Sequence, residues 1–132
     1  MNLRRITIWL AVALVLGGLL AACDQNSYEI GMLETHLPGR WEASYQTFTG
    51  TKETTVRADA GQTLVLDYQV KVDKGSLNIE IIRPEGGPLW SVTLAEDGED
   101  RVEIAIGQRG PHTIAIEGDN AGGRFELAWS LE

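Results

Sequence analysis

Cysteine is nearly absent from the chain: Cys23 is the only one in 132 residues. A lone thiol excludes an internal disulfide, and with it the stapled scaffolds on which many small secreted domains depend. Histidine is almost as scarce, with only His36 and His112. A zinc site draws on three or four ligands, and nothing in the spacing makes these two converge with a carboxylate. Neither sits in the context of an activated nucleophile, which needs a hydroxyl or thiol, a base and a group that orients the base. Gly107-Gln108-Arg109-Gly110 joins two strand-like runs, and no helix follows it to receive a phosphate. No catalytic, cofactor-binding or metal-binding residue is therefore expected, and the chain does not read as an enzyme.

Positive charge is also short. All nineteen acidic residues but only nine of the eleven basic ones lie beyond residue 22, the other two being Arg4 and Arg5. A domain so acidic disfavours nucleic acid and anionic headgroups and is compatible with cationic partners or divalent ions. Beyond the leader there is no internal repeat, heptad or low-complexity tract, and almost no helical periodicity.

What is present begins at the N-terminus. Arg4 and Arg5 precede fifteen residues, Ile6 to Leu20, of which only Thr7 is polar, and small Ala21-Ala22 close the run. These are the three parts of a signal peptide, expected over residues 1–22. As a helix, fifteen residues reach about 22 Å, short of the roughly 30 Å hydrocarbon core. The sole cysteine follows immediately. Leu20-Ala21-Ala22-Cys23 resembles the lipobox of bacterial lipoproteins, in which the thiol receives a diacylglyceryl group and the peptide is cut before it. That resemblance implies lipid attachment at Cys23, palmitate-type acylation, and a cell-envelope location facing the periplasm or the exterior. Two or more acyl chains hold a protein stably on a membrane, whereas one holds it marginally. Asp24 resembles the second-position aspartate that retains enterobacterial lipoproteins at the inner membrane.

Removal of residues 1–22 leaves 110 residues, enough for one domain. Residues 23–39 begin polar and end in the turn signal Pro38-Gly39, so they read as a lipidated tether with at most one helical turn. Residues 40–132 have a different texture. In Gln62 to Val72, the residues Leu64, Leu66, Tyr68, Val70 and Val72 alternate with Val65, Asp67, Gln69 and Lys71, the signature of a half-buried strand. The same period recurs in Leu77–Ile81, Trp90–Leu94, Val102–Ile106, Ile114–Ile116 and Phe125–Leu131, with weaker candidates at Trp41–Tyr45 and Thr54–Ala58. Turn chemistry separates the runs at Thr49-Gly50, Ala60-Gly61, Lys74-Gly75, Pro84–Gly87, Asp97-Gly98, Gly107–Pro111 and Gly118–Gly123. About eight short antiparallel strands follow, an all-β Greek-key or jelly-roll sandwich with one wet and one dry face per strand.

From Thr47 to Leu131 the chain is similar to small bacterial modules of the prepeptidase C-terminal and GOLD-like kinds. The similarity rests on Ala60-Gly61-Gln62-Thr63-Leu64, Ile82-Arg83-Pro84-Glu85-Gly86 and Gly110-Pro111-His112-Thr113-Ile114-Ala115-Ile116, with His112 standing where those families usually carry an aromatic. It implies binding, secretion or assembly rather than catalysis. The role expected first is a binding or scaffolding module for another envelope protein; the alternative is a glycan- or calcium-binding module held at the membrane. For calcium the acidic run Glu96-Asp97-Gly98-Glu99-Asp100 is the candidate, although Asp97-Gly98 is equally an ordinary hairpin turn. For a glycan, exposed rings would be needed. Trp90 and Trp129 share the inward phase of their strands, which leaves Trp41, Tyr45 and Tyr28 as the rings to be sought at the surface.

Overall fold

The computed structural model describes residues 27–132. The signal segment 1–22, its expected helix, and Cys23 with its lipid lie outside the described residues. Seven strands follow one another: β1 (Tyr28–Ile30), β2 (Leu33–Leu37), β3 (Arg40–Ala58), β4 (Thr63–Ile82), β5 (Pro88–Leu94), β6 (Gly98–Ala105) and β7 (Gly110–Leu131). All pairings are antiparallel, and no helix occurs among the described residues. The all-β, antiparallel class read from the period-two pattern is the class observed.

The chain's last strand, β7, lies between β3 and β4 and pairs with both along most of its length. These three strands are too long for one layer and cross between two. Their first and second halves bury residues of opposite phase: Trp41, Ala43 and Tyr45 then Phe48 in β3; Leu64 to Val70 then Leu77, Ile79 and Ile81 in β4; His112 to Ile116 then Ala121, Phe125 and Leu127 in β7. The register slips where the phase changes, at Tyr45/Phe48 and between Val72 and Ser76. A bulge adds a residue to one strand, bends it and sharpens its twist, so the inward face can swap without breaking the ladder.

The bend folds the sheet onto itself. In a straight β4, Tyr68 and Ile81 would stand roughly 40 Å apart. Trp90 pairs with Ile81, yet its ring centroid is 6.0 Å from that of Tyr68. One layer of the resulting sandwich runs β2-β3-β7-β4-β6 and the other β3-β7-β4-β5, with β1 continuing the edge at the bend. Between them Ile79, Ile81, Ile114, Ile116, Phe125 and Leu127 are almost wholly excluded from solvent, each such burial being worth about 1.5–3 kcal/mol.

Two expectations are corrected. Thr49-Gly50, Lys74-Gly75 and Gly118–Gly123 do not end strands; they are the three crossings, which fuse the eight expected runs into five strands, and β1 and β2 from the segment read as tether bring the number to seven. Gly75, with φ of +65°, lies where an added Cβ would strike the carbonyls of Asp119 and Asn120, so the β4 and β7 backbones cross in close contact there. The tether read over 23–39 is also shorter than expected. From Tyr28 the chain is already strand, with β1 and β2 paired along Tyr28↔Thr49 to Leu37↔Arg40. The sandwich therefore begins about twelve residues before position 40.

Candidate functional site

The outward residues of the β2-β3-β7-β4-β6 layer form rows, because directly paired residues of antiparallel strands project from the same face. One row reads Arg40, Ala128, Asp67, Arg101; the next reads Glu42, Glu126, Gln69, Glu99. Ala128 has little side chain between Arg40 and Asp67, and the face is hollow there. A cleft of about 430 Å³ is lined by Arg40, Asp67, Gln69, Glu99 and Glu126, with Asp100 at its rim. A second, of about 540 Å³, adjoins it across Gln69, Glu99 and Glu126 and extends toward Lys71 and Arg124.

Six charged groups on this face are paired laterally. Arg40 donates from Nε to Glu42 at 2.6 Å, Arg124 pairs with Glu126, and Arg101 lies 3.7 Å from Asp67. Within the rows Gln69 is a central amide with a carboxylate on either side, Glu126 on β7 and Glu99 on β6. The result is a shallow, polar surface of alternating donors and acceptors on a rigid sheet.

The acidic run is divided between structural and surface roles. Asp97 accepts a hydrogen bond from the Val72 amide at 2.8 Å and so clamps the β5–β6 turn to β4. Asp100 accepts from the Arg101 amide at 2.8 Å, and Glu99 faces the cleft. Among the described residues no group of three or more His, Cys, Asp or Glu is placed to hold a metal ion.

The rings sought at the surface are mostly inside. Trp41 and Tyr45 are buried, with Trp41 packed edge-on against Phe125 at 5.3 Å. They belong to the core because their phase points inward and because β3 is not an edge along this part, where β2 and β1 lie beyond it. Tyr28 is exposed, and Trp90 and Trp129 are half-buried against the core. His36, read as solvated tether, stacks on Trp41 with centroids 5.1 Å apart and planes 4° from parallel. His112 is buried at the start of β7 and donates from Nδ1 to the Gly110 carbonyl at 3.1 Å.

At the open seam of the sandwich, Lys52 of β3 reaches Glu29 of β1 at 2.9 Å and Glu34 of β2 at 3.6 Å, and Glu34 also accepts from Trp41 Nε1 at 3.1 Å. Desolvation acts to lower the Lys52 pKa, but the two carboxylates together outweigh it and hold the ammonium above its ordinary range. Asp67 and Gln69 were legible only as wet-face residues and Glu99 only as part of the acidic run, while Arg40 and Glu126 carried no signal of their own. Their assembly into one cleft depends on register, for which local sequence carries no signal.

No protein-family model matches the chain, and no curated protein matches it. Solved structures do. The carbohydrate-binding module TmCBM61, determined in complex with β-1,4-galactotriose, aligns with a TM-score of 0.50 at 16% identity over 70% of each chain. The enzymatically active domain of bacteriophage CBA120 tailspike protein 4 aligns with a TM-score of 0.51 at 12% identity, over 81% of this chain and 19% of that one. The periplasmic inhibitor of g-type lysozyme from Aeromonas hydrophila aligns with a TM-score of 0.47 at 21% identity, over 77% of this chain and 89% of that one. At these identities the likeness establishes a shared β-sandwich architecture. It does not extend to the prepeptidase C-terminal or GOLD-like families in particular.

Proposed function

We propose that this chain is a non-catalytic glycan-binding module, held on the outside of a bacterial membrane by acyl chains on Cys23. The observation that carries the reading is the hollow around Gln69, where an amide, the carboxylates of Glu99 and Glu126, and the guanidinium of Arg40 border one cleft. Small-ligand sites place a few convergent polar groups on a rigid scaffold. A sugar's vicinal hydroxyls suit that set, since each hydroxyl donates to a carboxylate while accepting from an amide or guanidinium. The β-sandwich likeness to a module that holds β-1,4-galactotriose supports this reading over the envelope-protein scaffold. A calcium role has less support, because Asp97 is spent on the Val72 amide. A catalytic role has little, because His112 is buried with Nδ1 engaged.

The ligand on this reading is recognised by hydrogen bonds with little ring stacking, so affinity is modest and depends on the central amide. Calorimetric titration of the lipoprotein with β-1,4-galactotriose and a panel of envelope oligosaccharides tests it. At least one saccharide is expected to bind, and Gln69→Ala is expected to weaken it about tenfold, as the loss of a hydrogen bond that leaves a partner unpaired would. If no saccharide binds and crosslinking in intact envelopes captures a stoichiometric protein at Gln69, the scaffold reading replaces this one.

A further inference from the structure

The edge strand carries an apolar stripe that the cleft does not use. Tyr28, Ile30, Leu33 and Leu37 are all exposed, Leu33 by 75%. Their partners Thr49, Thr47, Ser44 and Arg40 lie on the outward side of β3, so Leu33 and Leu37 project with Thr35 from the outward face of β2, and Tyr28 and Ile30 from the outward face of β1 on the other side of the β3 bulge. That stripe contains no charge. The two carboxylates of the edge, Glu29 and Glu34, have the opposite phase and are tied to Lys52. An edge strand left to solvent is ordinarily blunted by charge, often lysine. A charge-free stripe on so acidic a domain is a surface arranged to be covered.

Covalent geometry says what covers it. Only residues 24–27 separate Cys23 from Tyr28, and an extended chain spans at most about 3.6 Å per residue. The first residue of the stripe thus lies no more than roughly 18 Å from the sulfur that carries the acyl chains on the lipid-anchored reading, on which this inference rests. We infer that the outward side chains of β1 and β2 seat in the headgroup region of the anchoring bilayer. Leucine and isoleucine supply apolar area for such a contact, and a tyrosine nearest the anchor is suited to the interface. Their opposite phase and their contacts with Lys52 turn the Glu29 and Glu34 carboxylates away from that face. The domain then stands on its edge. The cleft, whose floor at β4 is three strand spacings or about 14 Å from β2, opens sideways along the membrane.

The lipidated protein reconstituted in phosphatidylcholine vesicles provides the test. Acylation caps the only native thiol, so an introduced cysteine labels uniquely with an environment-sensitive fluorophore. Labels at Leu33→Cys and Thr35→Cys on the edge are compared with one at Ser91→Cys on β5, the far edge of the other layer, using lipids with a nitroxide near the headgroup. Quenching at positions 33 and 35 is expected to exceed that at 91 at least threefold. The exposed pair Leu33→Ser and Leu37→Ser should bring the Thr35→Cys label down to the level of position 91 while the protein stays on the vesicles. Equal quenching at all three positions overturns the inference. So does energy transfer between edge labels that grows with protein density, which would mean that a second copy covers the stripe. The mass of the N-terminal peptide reports acylation separately: an unmodified Cys23 removes the anchor itself, whereas an acylated Cys23 with unquenched edge labels removes only the seating.

Discussion

Tyr45 is a useful measure of how the core treats a polar atom. Its ring is buried between Phe48 and Phe125, and burial first, then the negative charge of Asp73, pushes its pKa up to about 12 from 10. The unfolded chain loses this proton near pH 10, before the folded one does. The folded state then holds more protons than the unfolded, and stability falls as pH rises. The stabilisation attached to a neutral Tyr45 is complete below pH 10 and is lost progressively toward pH 12, on the order of 2 kcal/mol in all. Urea unfolding at pH 8, 10 and 11.5 should show this decline, and Tyr45→Phe should flatten it while leaving the pH 8 unfolding free energy within about 1 kcal/mol of the original. A parallel decline in the variant would assign the effect to Tyr68 and Lys52, whose pKa values are also raised.

The long strands are defined by their crossings. Gly123, with φ of +139°, sits against the Lys71 carbonyl, so a side chain at 123 meets both an unfavourable backbone region and a neighbouring strand. Gly123→Ala is expected to cost at least about 3 kcal/mol, read from the shift in urea midpoint at unchanged slope. A substitution at Gly61 has the positive φ of +92° without the collision and should cost less. The contrast separates strain in one residue from a clash between strands. Here too lies the reason that the strand count was misread. Gly118–Gly123 carries the composition of a turn, and composition cannot distinguish a reversal from a bend in which both flanking segments keep the same partners. The alternation of Leu64 to Val70 and of Leu77 to Ile81 was legible, because each segment is half-buried on its own. Their fusion into one strand was not.

For the whole molecule, the sequence-based anchor and the described sandwich make separable claims. Cys23→Ser should leave an unprocessed precursor retaining residues 1–22, detected by its larger mass; a normally cleaved, soluble product would reject lipidation and with it the bilayer seating. Anchor, edge and cleft then form one arrangement. On the proposed reading the edge strand would lie low on the membrane, the sheet would stand upright from it, and the polar hollow around Gln69 would face along the surface.

Composition and local period by themselves determined that the chain is all-β and which residues alternate between core and solvent, while the lipid anchor at Cys23 stays an expectation carried by the resemblance of Leu20-Ala21-Ala22-Cys23 to a lipobox. Each of these is written in consecutive residues, where a side chain's phase or a short motif's chemistry is complete. Only the tertiary structure decided that Trp41 and Tyr45 are core, because the strand that covers their edge comes from residues read as tether. It alone placed Asp67, Gln69, Glu99 and Glu126 beside one another, since they sit on three strands whose register is set by bulges and by packing across the sandwich. A contact between distant strands depends on every residue that fixes their alignment, and no single stretch of sequence contains that sum.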